Sequence, residues 1–206
     1  MAENRQQHWN TIYKSRGERD VSWFETTPAV SLEMIAAIGV KPDTCLVDVG
    51  GGESRLIDAL LAEGLHCLAV LDVSREALDR ARARIGAASH SVIWIESDVT
   101  AEWSLEPMDI WHDRAVFHFL VEAEDRRRYL AHLRQTLKVN GGAVIATFAP
   151  DGPEKCSGLP VVRYSPDTLA AELGDGFALI ESRLHTHITP SGILQSFQYS
   201  RFQRTH

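Results

Sequence analysis

Three aspartates stand at the ends of short apolar runs in this sequence, and glycines follow the first of them. Asp48 lies in "CLVDV", directly before glycines at positions 50–52, Asp72 ends "CLAVLD", and Asp98 follows "IWIES". If these runs are neighbouring parallel strands, the three carboxylates meet at one edge of the sheet, where ligands bind in such folds. A carboxylate that accepts two ligand hydroxyls there contributes about 1.5–3 kcal/mol. The spacing therefore predicts a binding site for a polar small molecule.

The turn after the first run offers backbone N–H groups to a ligand, because glycine has no side chain to block a close approach. It consists of Gly50, Gly51 and Gly52. A phosphate-binding P-loop would continue with Gly-Lys-Ser/Thr, and this turn continues with "ESR". A dinucleotide favours a third small residue where Arg55 stands. S-adenosylmethionine would explain Asp48 as a partner of its amino group and Asp72 as a partner of its ribose. The residues alone leave the last two ligands in competition.

Each aspartate also has a purely structural explanation. Asp48 and Asp72 can cap the turns and helices that follow them, as short acidic side chains often do. Asp98 lies in "SDVT", which is an ordinary turn sequence. In the ligand interpretation, Asp98 instead accepts a hydrogen bond from the adenine amino group.

Apolar runs and helical patterns alternate through the middle of the chain. Strands are predicted at "TCLVDV", "HCLAVLDV", "HSVIWIESDV", "MDIWHDRA" and "GAVIATFA", with helices "SRLIDALLAE", "REALDRARARI" and "EDRRRYLAHLRQTLK" between them. Ser74 is the predicted N-cap of the second of these helices. Before the first strand, helices are predicted from about Arg5 to Ser15 and from Pro28, as first helical residue, to Gly39. Such alternation predicts a parallel sheet with helical crossovers.

The C-terminal part departs from this alternation. After the helix "SPDTLAAEL", two runs with β-character are joined through "PSG" at positions 190–192, which is a hairpin signal. The sequence therefore predicts an α/β fold, a Rossmann-like three-layer sandwich with a mixed seven-stranded sheet whose last strand is antiparallel in a C-terminal hairpin. We expect a single domain over residues 1–206, with an N-terminal helical lid at 1–40 and the Rossmann-like core at 41–206.

Composition excludes several classes of protein. The chain has 206 residues, 44% of them hydrophobic, and a formal net charge of −7, which argues against a nucleic-acid binder. Its apolar runs are too short to span a membrane. The first ten residues, "MAENRQQHWN", lack the pattern of a secretory signal, so a cytoplasmic location is predicted.

The cysteines and histidines predict neither a disulfide nor a metal site. Cys45 and Cys67 fall within predicted buried strands, where free cysteine behaves as a small hydrophobe. Cys156 lies in a loop and is the cysteine with a plausible chemical role. His185 and His187 share one face of a predicted strand, but no further ligands can be placed beside them. We therefore predict no metal.

The motifs, taken in order, resemble those of class I S-adenosylmethionine-dependent methyltransferases. The resemblance rests on "LVDVGGGESRL", "LAVLDVSREALDRAR", "IESDV", "MDIWHDRAVFHFL" and "LKVNGGAVIATF", and covers about residues 43–148. The family's first motif is acid-x-Gly-x-Gly-x-Gly, and Ser54 stands at its last glycine position. The resemblance implies S-adenosyl-L-methionine as cofactor and S-adenosyl-L-homocysteine as product. The residues it places around the cofactor are Asp48, Gly50, Gly51, Gly52, Asp72, Val73, Asp98, Val99 and Arg114.

The same resemblance implies where the methyl acceptor binds. In this family the segment after the fourth strand, here "HDRAVFHF", lies next to the methyl group. His112, Asp113 and His118 are therefore candidate general bases for an acceptor that carries a proton. His118 can equally be a packing residue, and Asp113 can form an ion pair with Arg114. The aromatic residues Trp9, Tyr13 and Trp23 in the N-terminal region predict a lid that covers the cofactor.

Several functions remain open at this level. A small-molecule acceptor is favoured, because "DIWHDRAVFHFL" resembles the small-molecule branch of the family and lacks the Asn/Asp-Pro-Pro-aromatic run of its nucleic-acid branch. A protein lysine is the second possibility, because "HWNTIY…VSWFE" and "HDR" resemble signatures of a lysine-methylating branch. An NAD(P)-dependent oxidoreductase and a non-catalytic ligand-binding module are the alternatives outside the transferases.

Overall fold

Six α-helices and nine strands follow one another through the part of the chain that the computed structural model describes, residues 2–206, with side chains from residue 4 onward. The helices are α1 (Ala2–Ser15), α2 (Ala29–Gly39), α3 (Leu56–Ala62), α4 (Arg75–Ile85), α5 (Ala123–Thr136) and α6 (Pro166–Leu173). The strands are β1 (Cys45–Val49), β2 (Cys67–Asp72), β3 (Val92–Glu96), β4 (Met108–Arg114), β5 (Leu137–Phe148), β6 (Lys155–Cys156), β7 (Leu159–Pro160), β8 (Phe177–Ile188) and β9 (Leu194–Arg204).

Seven of these strands form one mixed sheet in the order β3-β2-β1-β4-β5-β9-β8. The first five strands are parallel to one another. Strand β9 is antiparallel to both of its neighbours, β5 and β8. This arrangement confirms the predicted seven-stranded sheet and its antiparallel last strand. Strand β5 is longer than predicted, because it begins at Leu137, directly after α5.

Helices cover both faces of the sheet and bury its two apolar surfaces. On one face, residues such as Met34 of α2, Leu60 of α3 and Leu78 of α4 pack together. On the other face, α5 and α6 contribute residues such as Leu133 and Leu169. The two layers of helices with the sheet between them are the predicted three-layer sandwich. Helix α2 therefore belongs to the core packing.

Local signals in the sequence set several helix ends as expected. The Ser74 hydroxyl accepts a hydrogen bond from the backbone N–H of Ala77 and so caps α4. Helix α2 ends at Gly39, whose φ of +95° lies in the left-handed region that glycine readily adopts. Pro28 is the N-cap residue of α2, one position before the predicted first helical position.

The prediction that Cys45 and Cys67 are free thiols is wrong, because the structure joins them in a disulfide. They lie directly opposite each other in the parallel register of β1 and β2, with their Cα atoms 4.5 Å apart. That distance lies within the range that a disulfide bridges. The pairing depends on strand register, which the sequence separation of the two residues does not show. Cys156 is the free cysteine among the described residues, and it is buried.

Candidate active site

Two cavities lie at the carboxyl edge of the parallel strands. The main cavity is lined by Asp72 and Asp98 on the β2–β3 side and by Arg114, Phe148 and Cys156 on the β4–β5 side. The side cavity is lined by residues around the glycine turn, including Ser31, Asp48, Gly51 and His112. Because neighbouring strands are about 4.8 Å apart, the two sides of the main cavity are separated by roughly the width of three strands. A ligand in the main cavity therefore crosses the ends of the central strands.

The glycine turn is packed so closely that side chains are excluded from it. Gly50 has a φ of +67° and Gly52 a φ of +47°, both in the left-handed region. A Cβ atom on Gly50 would lie 1.9 Å from Val116 Cγ2, and one on Gly51 would lie 2.5 Å from Asp48 Oδ2. The Gly50 N–H donates to the Leu71 carbonyl at 2.6 Å, which ties the turn to β2. The turn thus brings bare backbone to the edges of both cavities.

Asp48 forms a buried polar group with His112 and Ser31. Strands β1 and β4 are neighbours, and their register places Asp48 opposite His112. The distance from His112 Nδ1 to Asp48 Oδ1 is 2.7 Å, and that from His112 Nε2 to Ser31 Oγ is 2.9 Å. Asp48 Oδ2 is buried and has no hydrogen-bond partner. A buried carboxylate oxygen without a partner at the edge of a cavity is suited to bind a ligand ammonium group.

Asp72 presents a buried carboxylate to the main cavity. Its Oδ1 accepts a hydrogen bond from the Ser74 N–H at 2.7 Å, so the structural role that the sequence allows is also filled. Burial raises the pKa of Asp72 from 3.8 to about 7, and the neighbouring charge of Asp48 adds to the shift. Within the described residues no cation forms a salt bridge with Asp72. Its remaining hydrogen-bonding capacity, beside Val73, faces the cavity.

Asp98 has two protein partners, of which the sequence indicated the first, Thr100, and not the second, Arg5. Its Oδ1 accepts from the N–H and hydroxyl of Thr100 at 2.8 and 2.7 Å, which is the turn that "SDVT" allows. Arg5 from α1 approaches Asp98 Oδ2 to 3.2 Å and also binds Asp125. Asp98 and Val99 still line the main cavity, so the adenine assignment stays a prediction. Arg5 therefore connects α1 to two acidic residues of the core.

The aromatic residues of the N-terminal region line the main cavity and pack against one another. The ring centroids of Trp9 and Phe119 are 5.3 Å apart, and those of Trp9 and Trp23 are 5.7 Å apart. Tyr13 packs edge-on against Trp23 at 6.0 Å. Arg5, Trp9 and Tyr13 are spaced four residues apart and so share one face of α1, a signal from which the position of Arg5 could have been predicted. The lid predicted from Trp9, Tyr13 and Trp23 thus corresponds to residues that line the cavity.

Two of the three candidate bases lie away from both cavities. Asp113 is fully buried and accepts hydrogen bonds from the Val116 N–H at 2.8 Å and the Tyr129 hydroxyl at 2.7 Å. Burial raises the pKa of Asp113 to about 6. His118 is also fully buried, and its Nδ1 accepts from the Phe148 N–H at 3.4 Å. Burial, with a contribution from the nearby guanidinium of Arg114, lowers the pKa of His118 to about 3. These positions argue against Asp113 and His118 as bases and favour structural roles.

The alternation of side chains along β4 explains this outcome. His112 and Arg114 lie on the cavity face, and Asp113 between them points to the opposite face. Asp113 and Arg114 consequently form no ion pair with each other. After β4, Ala115 adopts a φ of +71°, and the chain turns so that His118 packs against Phe148. His112 lines the side cavity, but its two ring nitrogens already have protein partners.

Arg114 is the cation that faces the β4–β5 side of the main cavity. Its Nε donates to the Tyr199 hydroxyl at 2.9 Å, and its Nη1 donates to the Trp23 carbonyl at 3.0 Å. Nη2 lies 3.3 Å from Glu25 Oε1 but has no partner in hydrogen-bonding geometry. The guanidinium carbon lies 5.0 Å from the centre of the Phe197 ring. The group is therefore rigidly held, with donor capacity left.

The remaining features considered in the sequence are a membrane span, a metal site and the histidines of β8. No described helix is long and apolar enough to cross a membrane. Among the described residues, no group of three or more His, Cys, Asp or Glu side chains is arranged to hold a metal ion. His187 is buried, and its Nε2 lies 2.7 Å from the Ser22 carbonyl oxygen.

Comparison with known proteins shows which family model and which solved structures this chain resembles. Residues 47–143 match the family model of a methyltransferase domain. A search of curated proteins found no match. A structure from work on the conversion of a disulfide bond into a thioacetal group during echinomycin biosynthesis is 17% identical, with a TM-score of 0.77 over 98% of this chain and 92% of that chain.

Two further solved structures are N-methyltransferases. NodS from Bradyrhizobium japonicum, in complex with S-adenosyl-L-homocysteine, is 15% identical, with a TM-score of 0.73 over 96% of this chain and 98% of that chain. The 1,6-didemethyltoxoflavin-N1-methyltransferase of Burkholderia thailandensis is 17% identical, with a TM-score of 0.69 over 98% of this chain and 85% of that chain. At these identities the likeness shows the fold. The matched domain model, over residues 47–143, agrees with the predicted resemblance to methyltransferases.

Proposed function

We propose that this chain, a class I S-adenosylmethionine-dependent methyltransferase, transfers the methyl group of its cofactor to a small-molecule acceptor. One observation carries the proposal: Gly50 of the glycine turn, Asp72 and Asp98 border the same cavity as the aromatic residues of α1 and the end of β4. The first three are suited to hold the cofactor. The last two leave an apolar compartment beside it for an acceptor.

The residues present fit S-adenosylmethionine. Asp48 Oδ2 is a buried acceptor without a partner, which suits the amino group of the methionine moiety. A Cβ atom on Gly52 would lie 3.0 Å from Asp72 Oδ2, so only bare backbone leaves room beside this carboxylate. Asp72 is placed to accept hydrogen bonds from the ribose hydroxyls, and Val99 to contact the adenine. These assignments extend the sequence predictions for the cofactor-binding residues.

The protein's own contribution to the reaction is positioning and the exclusion of water. When bound, the cofactor supplies a methyl group on a sulfonium, which is already an activated leaving group. Trp9, Tyr13 and Trp23 close over the cavity and keep water from the reacting atoms. Orientation of two bound reactants contributes roughly 7–11 kcal/mol to such a displacement. The lid and the rigid strand ends supply that orientation.

The enclosure of the cavity supports a small acceptor in preference to a lysine on another protein. Trp9 packs against both Trp23 and Phe119, so the lid closes the cavity on the side of α1. The structural neighbour named for methylation of 1,6-didemethyltoxoflavin offers a parallel in a small acceptor. We assign the lid to residues 2–24, because α2, which the predicted lid region 1–40 includes, packs in the core. Residue 1 of the predicted lid lies outside the described residues. The cytoplasmic location stays a prediction.

Calorimetric titration with S-adenosylhomocysteine, beside NAD and NADP, tests the cofactor site. We expect micromolar binding of S-adenosylhomocysteine and none of either dinucleotide. Incubation with methyl-labelled cofactor, a cellular small-molecule extract and a cellular protein extract then tests the acceptor class. Label in the small-molecule fraction is the expected result, whereas label confined to protein would favour the lysine alternative. Binding of a dinucleotide alone would contradict the proposal.

A further inference from the structure

The β4–β5 side of the main cavity has a distinctive chemical character. Its walls are aromatic, from Phe119, Phe148 and Phe197, and its polar groups come from Arg114, Cys156 and Gln195. Arg114 is strongly buried, with a side-chain exposure of 12%, and is held by Tyr199 and Trp23. Glu25, 3.3 Å from Nη2, offsets part of this charge, but Nη2 has no partner in hydrogen-bonding geometry. It can donate to an anionic ligand, and the low local dielectric strengthens that interaction.

This side of the cavity offers no general base among the described residues that line it. The acids that line the main cavity, Asp72 and Asp98, lie on the β2–β3 side. Burial raises the pKa of the Cys156 thiol to about 11, so the thiol is protonated at neutral pH. Asp113 and His118 lie outside the cavity. An acceptor that must lose a proton during the reaction therefore finds no side chain there to take it.

We propose that the acceptor is a small apolar molecule that is already ionised before it binds, a thiolate or a carboxylate, and that Arg114 holds its negative charge. The inference rests on the proposed methyltransferase function and names the substrate class of the same site. The anion's lone pair forms the new bond to the methyl carbon. The bond from that carbon to the sulfonium sulfur breaks, and its electrons stay on sulfur. No proton moves in this step.

Charge changes during the transfer explain why this compartment suits an anion. An anion and a sulfonium cation react to give two neutral products, so an apolar, water-poor compartment does not oppose the loss of charge. A neutral amine would instead develop positive charge on nitrogen. Arg114 would repel that charge, and no base would remove the proton from the product. The arrangement thus favours the anion over the amine.

The titratable groups that interact with Arg114, directly or through Glu25, are Glu25, Tyr199, Cys156, His118 and His187. Glu25 lies 3.3 Å from Nη2 and is shared with His187, whose Nδ1 is 3.6 Å from the same carboxylate oxygen. The Tyr199 hydroxyl accepts from Nε. Burial acts to raise the pKa of Glu25, but its hydrogen bond to His187 and the charge of Arg114 outweigh burial and leave this pKa lowered. Glu25 is therefore ionised at neutral pH.

A panel of acceptors with different acidities tests the inference on the unaltered protein. Methyl-labelled cofactor is supplied with nitro-, chloro- and methyl-substituted benzenethiols, with the matching benzoates and with the matching anilines. We expect transfer to thiols or benzoates at least about a hundredfold faster than to anilines. For the thiols, kcat/KM should rise with pH to a plateau, and the midpoint should follow the pKa of each thiol. A midpoint that is the same for every thiol would reveal an enzyme base and overturn the inference.

An Arg114→Gln variant tests the role of the guanidinium, with Arg163→Gln, in the loop between β7 and α6, as matched control. We expect the Arg114 variant to lose about tenfold or more in kcat/KM for the anionic acceptor, mainly through KM, because a charged hydrogen bond is lost. The control should retain wild-type values. If the Arg114 variant does not fold, the acceptor panel on the unaltered protein still tests whether the acceptor is an anion.

The failure of this inference is separable from failure of the proposed function. S-adenosylhomocysteine binding is measured by calorimetry on the same protein preparation. Binding of this product together with transfer only to anilines, or with no transfer to any anion, overturns the anionic acceptor alone. Absence of binding overturns the methyltransferase function itself.

Discussion

Replacement of Asp72 by Asn should stabilise the protein and at the same time weaken its cofactor site. Asp72 is buried, and within the described residues no cation forms a salt bridge with it, which is why its pKa rises from 3.8 to about 7. A carboxylate in that position opposes folding when it is ionised. Asn has almost the same shape and keeps an oxygen that accepts from the Ser74 N–H. The variant therefore removes the charge with little change in packing.

The size and sign of the effect follow from the difference in pKa between the folded and unfolded chains. The folded protein binds a proton at Asp72 more tightly than the unfolded chain does, so the stability of the wild type falls as pH rises from about 4 to 7. Asn does not titrate. The free energy of unfolding of the variant should therefore exceed that of the wild type by an amount that grows about 1.4 kcal/mol per pH unit over this range. The upper limit is about 4 kcal/mol at and above pH 7.

Urea denaturation of wild type and variant at pH 5 and pH 8 measures this difference, and calorimetry with S-adenosylhomocysteine measures binding. Asp43→Asn, at an exposed position before β1, is the control and should change neither quantity. We expect the Asp72 variant to bind at least about tenfold more weakly, because one acceptor of ribose hydroxyls is lost. A stability difference that is equal at both pH values would refute the burial argument, and unchanged affinity would refute the ribose assignment.

Two further substitutions examine contacts that connect the cavities to the core. Arg5→Gln removes the cation that binds α1 to Asp98 and Asp125. S-adenosylhomocysteine should then bind about three- to tenfold more weakly, and α1 should be cut sooner in limited proteolysis. Equal cleavage rates in variant and wild type would contradict the idea that Arg5 holds α1 against the core. His112→Ala leaves buried Asp48 without its donor and should lower the free energy of unfolding by about 3 kcal/mol. Adding Asp48→Asn should restore part of that loss, and a double variant less stable than His112→Ala alone would contradict the pairing.

Much of the fold could be predicted, because it depends on local signals that survive in the linear sequence. The apolar runs, the Ser74 cap and the hairpin signal at positions 190–192 each act over a few residues, and together they fix an alternating sheet with an antiparallel end. The disulfide between Cys45 and Cys67 could not be predicted in this way. It requires the register of β1 against β2, which is set by the packing of whole strands.

In the candidate site, too, the residues placed by the general fold could be predicted, and those placed by local backbone geometry could not. Asp48, Asp72 and Asp98 could be placed together because parallel strands bring their carboxyl ends to one edge. The role of Asp113 could not be judged, because it depends on which of two adjacent residues of β4 faces the cavity. The position of His118 depends in addition on the positive φ of Ala115, a conformation that alanine rarely adopts and that no sequence pattern indicated.

Strand β4 is the element that relates the two halves of the proposed reaction. His112 and Arg114 are two residues apart on one strand and so face the same side of the sheet. His112 fixes the carboxylate of Asp48, which we assign to the ammonium group of the cofactor, and Arg114 is assigned to the charge of the acceptor. The spacing between the two charged groups of the reactants is thereby set by a buried strand whose hydrogen-bonded neighbours, β1 and β5, allow little movement. Methyl transfer requires the acceptor atom to lie in line with the bond that breaks, so this spacing must stay constant. A central strand holds it more rigidly than a loop would.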